Sequence, residues 1–97
     1  MNIQILDEAV DDLTAGYRFY EQQMPGLGEY YLDSLWSEIQ SLRLYGGIHA
    51  LHHGHHRLLA KRFPFAVYYQ IAPEQVVSVR AVLDCRRDPH EIMHRLK

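Results

Sequence analysis

The chain has one cysteine, Cys85, among its 97 residues. No internal disulfide can form, so the fold must rest on packing, and the pattern suits a reducing compartment. No apolar run approaches the ~20 residues that cross a bilayer. The N-terminal residues lack the basic-then-apolar pattern of a secretory signal. No internal repeat, low-complexity tract or second composition zone is visible. Strong charge is missing too, at net −2. Together these absences predict a small soluble cytoplasmic protein, one domain over residues 1–97, with a single modest core.

The charge that is present is unevenly placed. Residues 1–45 carry eight acidic and two basic side chains, and residues 46–97 carry four acidic and eight basic. An anionic partner would therefore meet the second half of the chain.

The organising stretch is Phe63–Pro89, FPFAVYYQIAPEQVVSVRAVLDCRRDP. Phe65, Val67, Tyr69 and Ile71 alternate with Ala66, Tyr68 and Gln70, and Val77, Val79, Ala81 and Leu83 with Ser78, Arg80 and Val82. Period-two alternation rich in aromatic and β-branched residues marks two strands. Pro73 falls between them, where no ladder needs its missing N–H. A loop over Pro73, Glu74 and Gln75 pairs Ala72 with Val76. A regular ladder from there sets Tyr69 opposite Val79, Val67 opposite Ala81 and Phe65 opposite Leu83, all on one apolar face.

Before this stretch, Asn2–Leu6 reads as a short strand. Asp7 offers an N-cap, and Glu8, Asp11 and Asp12 suit a helix's positive end. Val10, Leu13, Tyr17, Tyr20 and Met24 give that helix a stripe. Pro25-Gly26-Leu27-Gly28 breaks it. A second helix follows over about Gly28–Leu44, with Tyr31, Leu35, Ile39 and Leu42 as its stripe, widened by Leu32 and Trp36. So short a link predicts an antiparallel hairpin lying on the sheet. Ile48–His56 holds five of the seven histidines and reads as a loop. Arg57–Arg62 reads as a strand, pairing Leu59 with Tyr68 and Arg57 with Gln70. Its outward side chains would join a polar patch of Arg57, Lys61, Tyr68 and Arg80. Asp88-Pro89-His90-Glu91 starts a last helix, running to about Leu96. The fold class is α+β: an N-terminal strand, a helical hairpin on a small antiparallel sheet of three further strands, and a short C-terminal helix.

Taken in order, Arg57, Phe63-Pro64-Phe65, Tyr68-Tyr69, Val82-Leu83 and Arg86-Arg87-Asp88-Pro89 resemble the RelE/ParE superfamily of toxins from type II toxin–antitoxin pairs, closer to the ParE-like branch. Asp11–Tyr20 followed by Pro25-Gly26-Leu27-Gly28 is similar to that family's N-terminal pattern. The resemblance implies a cognate antitoxin as partner and inhibition of DNA gyrase as activity. Its alternatives are messenger RNA cleavage on the ribosome, or an antitoxin-binding module without a toxic target. It implies no cofactor. The near-neutral charge fits gyrase better than ribosomal RNA, whose ligands rely on strongly basic surfaces.

Cleavage of RNA through its own 2′-hydroxyl needs a base, an acid and cations near the phosphate. Arg57, Lys61, Tyr68, Arg80 and Arg86 are the side chains available for that chemistry; the plain alternative is a solvated sheet face covered by the antitoxin or by the C-terminal helix. For target binding, the basic corner of Arg86, Arg87, His90, His94 and Arg95 is the expectation, with residues 89–97 dispensable for folding. Arg86 or Arg87 can equally bridge to Asp84 or Asp88. His52, His53, His55 and His56 have ligand chemistry, but a Gly-flanked run does not fix them from separate elements, so no metal is expected. Cys85 lacks a nearby base and reads as a structural or merely tolerated thiol. Phe19 lies off its helix's stripe and suits a partner-facing patch.

Overall fold

Alternation and three-to-four spacing place the elements where they were expected, with two local exceptions. The computed structural model describes all residues, Met1–Lys97. The elements are β1 (Asn2–Ile5), α1 (Asp7–Gln23), α2 (Leu27–Tyr45), β2 (Leu51–His52), β3 (His55–Leu59), β4 (Phe65–Ala72), β5 (Val76–Asp84) and α3 (Pro89–Arg95). They form an α+β fold whose five-stranded sheet runs β1-β5-β4-β3-β2. β1 lies parallel to β5, and the other pairs are antiparallel. No helix is long and apolar enough to cross a membrane.

The helical hairpin closes on a carboxylate. Glu21 accepts the N–H of Gly26 at 3.0 Å and that of Gly28 at 3.0 Å. This satisfies donors that the start of α2 would otherwise leave orphaned. Gly28 also lets the helices touch, because a Cβ there would stand 2.6 Å from the Tyr17 carbonyl oxygen. The α2 stripe of Tyr31, Leu35, Ile39 and Leu42 is buried as expected. Leu32 and Trp36 do not widen it, and Trp36 is 52% exposed. The α1 stripe is rotated from its expected place: Ala9, Leu13, Gly16 and Tyr20 are buried, while Val10 and Met24 face solvent. Gly16 holds an inner position because the Tyr31 ring lies where a larger side chain would stand.

The FPF motif packs against the turn end of this hairpin. Phe63 sits 4.8 Å from the Tyr20 ring centroid and 5.3 Å from Tyr31, and Phe65 sits 5.0 Å from Tyr31. These tilted and edge-on contacts are the favoured aromatic geometries.

The first exception is a β-bulge. Ala72 pairs with Val76 and Tyr69 with Val79 as expected, but the next pairs are Tyr68 with Ala81, Val67 with Val82 and Ala66 with Leu83. Arg80 is the extra residue, and it sets the rest of β5 one place out of the regular ladder. Ala81 and Leu83 therefore leave the helix-facing core that a regular ladder gave them, and Val82 takes their side.

The second exception is the histidine-rich run. It is not a plain loop: β2 and β3 form a hairpin that turns at His53-Gly54, with φ of 55° and 80°. Two consecutive positive φ values are what a tight two-residue hairpin turn requires. β3 thus starts at His55 and ends at Leu59, earlier than expected. It pairs Leu59 with Ala66 and Arg57 with Tyr68, two residues from the expected register. A shift of two preserves the faces, so Leu58 and Ala60 still pack on the core.

Candidate functional site: the outer sheet face and its C-terminal helix

The bulge gives the sheet a second apolar face. Ala66, Tyr68, Ala81 and Leu83 form a cluster with Ile92 and Leu96. α3 therefore covers the face expected to carry the polar patch, which is the plainer of the two expectations for that face. Asp88 starts it as an N-cap, accepting the His90 N–H at 2.8 Å. Pro89 sits at the first helical position, where a missing N–H costs nothing.

One carboxylate ties the helices and sheet together. β1 pairs with β5 only as far as Val79, so the β5 edge beyond has no strand partner. Asp12 of α1 accepts the Val82 N–H there at 3.0 Å. The same carboxylate receives Arg95 in a two-pronged pair, at 2.9 Å and 2.8 Å. The Asp12 side chain is 8% exposed, and Glu8 stands 3.4 Å from the Arg95 guanidinium. The Asp12 contact, opposed by burial, holds the Arg95 pKa above its ordinary value. Asp12 was legible in the sequence only as a helix-dipole acid. The fuller signal is its position one turn after Ala9, on the border of the buried stripe.

The five residues named for ribonuclease chemistry are only partly brought together. Arg57 and Tyr68 are cross-strand neighbours. Tyr68 is 3% exposed. Burial raises its pKa, against the pull of the Arg57 cation. Arg80 points toward α3, donating to the carbonyls of Arg95 at 3.4 Å and Lys97 at 3.2 Å. Lys61 does not join them. It lies past the end of β3, in a shallow groove with Glu38, Ser41 and Tyr45 on the α2 side. Arg86 is clamped to Asp84 by two bonds of 2.9 Å and 2.7 Å. That contact holds the Asp84 carboxyl below its ordinary pKa.

Of the residues named for target binding, Arg95 is spent on Asp12 and Arg86 on Asp84. Arg87, His90 and His94 are exposed and form no ion pair. Arg87 also lines a groove of about 200 Å³ along the free edge of β5, with Asp12, Phe19, Phe65, Val82 and Asp84. Phe19 is half exposed there. Desolvation lifts the Cys85 thiol, against the pull of Arg57, so it is not an activated nucleophile. No three His, Cys, Asp or Glu side chains converge as a metal site would require. The imidazoles of His55 and His56 in β3 instead bond to backbone carbonyls, and that of His49, ahead of β2, bonds to the Tyr69 hydroxyl.

No family model and no curated protein sequence matches the chain. The same fold is found in a solved structure described as the chromosomal ParDE TA system from P. aeruginosa. The two superpose with a TM-score of 0.74 over 84% of this chain and 92% of that one, at 17% sequence identity. At that identity the likeness is one of fold.

Proposed function

We propose that this protein is the toxin of a type II toxin–antitoxin pair, acting by binding and inhibiting DNA gyrase and held silent by a cognate antitoxin. The observation that carries the reading is the fold shared with a chain of a ParDE system over nearly the whole length of both. The closed outer face supports binding over catalysis. A ribonuclease base must reach a 2′-hydroxyl, yet Tyr68 is buried under α3 and Lys61 stands elsewhere. Arg87, His90 and His94 are the free cationic and titratable groups of the target-facing corner. The acidic tail of an antitoxin would meet the basic half of the chain and fold on docking, as disordered partners do.

The test is a supercoiling assay with purified, antitoxin-free protein. Inhibition should be stoichiometric, and Arg87→Glu combined with His94→Glu should relieve it without changing the melting temperature. Full gyrase activity at a large molar excess of folded protein would overturn the gyrase assignment. The Arg57–Tyr68 pair supports one second reading, a metal-independent ribonuclease. Codon-specific cleavage of messenger RNA on ribosomes, lost in Arg57→Ala, would put it first.

A further inference from the structure

The residues between α2 and β2 are held to the sheet by one tyrosine hydroxyl. Tyr69 of β4 is fully buried. Its oxygen accepts the Gly47 N–H at 2.9 Å and also bonds to Nδ1 of His49. Gly47 can only donate, so His49 is the one partner able to accept the hydroxyl's own proton. Nδ1 must then be an acceptor, and the imidazole neutral with its proton on Nε2. His56 of β3 closes the arrangement. Its ring stacks on Tyr69 at 5.0 Å, and its Nδ1 donates to the His49 carbonyl at 2.6 Å. One residue further, the Ala50 carbonyl accepts the Arg57 N–H at 3.0 Å, so the same segment covers the edge of β3.

We propose that residues 46–52 form a proton-sensitive clasp: neutral His49 holds them on Tyr69, and protonation of its Nδ1 releases them and bares the edge of β3. A protonated Nδ1 would set two donors against one oxygen. The hydroxyl proton of a fully buried tyrosine would lose its acceptor, an expensive loss in that setting. Protonating His56 does not break its own contact, because its Nδ1 donates in either state. The groups facing His49 are Glu38 and Tyr45 of α2, His56 of β3, Tyr69 of β4, and Lys61 beyond β3. Glu38 favours the cation. Burial and the His56 ring outweigh it, and the pKa of His49 is lowered. The released segment keeps an ordinary histidine pKa of about 6.5. The clasp is therefore fully closed above that value and weakens as pH falls through and below it.

The measurement is site-resolved amide exchange between pH 7.5 and 5, expressed as protection relative to the free peptide and paired with the titration of each imidazole. Protection at Gly47 and Arg57 should fall along the His49 titration, while core amides such as Val79 hold theirs. In His49→Gln, whose side-chain oxygen can still accept from Tyr69, protection at Gly47 should persist at pH 5. In Tyr69→Phe it should be low at every pH. Unchanged protection through the His49 titration would overturn the proposal. So would a wild-type pH response in either variant.

Discussion

Tyr31 shows how tightly the hairpin is drawn. Its ring lies across Gly16, where a Cβ would collide with the phenol. Its hydroxyl is buried without a hydrogen-bond partner, and burial drives its pKa far above the ordinary value. An orphaned buried hydroxyl costs about 1–3 kcal/mol. Tyr31→Phe should therefore raise stability, by up to about 1 kcal/mol after repacking, read as a higher denaturant midpoint at unchanged slope. Gly16→Ala should do the reverse, losing about 1–3 kcal/mol to overpacking. Asp12 is the residue whose loss should reach furthest. Removing it leaves Arg95 partly buried with only the longer contact to the more exposed Glu8, and Val82 without an acceptor. Breaking such a pair costs about 3–5 kcal/mol when fully buried. Because Arg95 keeps some water contact, about 3 kcal/mol is the expectation for Asp12→Ala. A double-mutant cycle with Arg95→Met should show clear coupling. None of the three contacts was legible in the sequence, since each depends on where a distant element comes to rest.

At the scale of elements, the sequence carried more. Both helices, the β4–β5 hairpin and the capped C-terminal helix follow from local periodicity, turn residues and an Asp-Pro start. What escaped was the bulge and the His53-Gly54 turn. A regular alternation leaves no mark at Arg80, because Ala81, Val82 and Leu83 are all apolar and fit either face. His-Gly is not the Asn-Gly pair that usually announces such a turn. The candidate site shared this fate in part, because ribonuclease chemistry at Arg57, Lys61, Tyr68 and Arg80 needed an uncovered face, and the helix that covers it was only the alternative. The core itself can be tested directly. Val67 and Val79 are fully buried between sheet and helices. Val79→Asp would bury an unpaired charge and should abolish the cooperative melt seen by circular dichroism.

For the whole molecule, two faces of one sheet are packed, the larger by α1 and α2 and the smaller by α3. The sequence suggested that residues 89–97 could be removed with the fold intact, but Ile92 and Leu96 are buried on the sheet, so their loss should be felt. Ile92 and Leu96 each contribute about 1.5–3 kcal/mol if fully buried, out of a total near 5–15 kcal/mol. A chain ending at Asp88 should melt earlier, lose cooperativity and bind a hydrophobic dye. The bulge carries a different consequence for kinship. Arg80 and Ala81 both face outward, so deleting Arg80 would regularise the ladder while leaving Val79, Ala81, Val82 and Leu83 on their present sides. Only the two bonds from Arg80 to the end of the chain would go. A shortening inside a strand, usually the most damaging kind of length change, should here leave the melt cooperative and its midpoint little changed. Relatives of this chain can differ by a gap in mid-strand, where an alignment guided by residue identity is least inclined to open one.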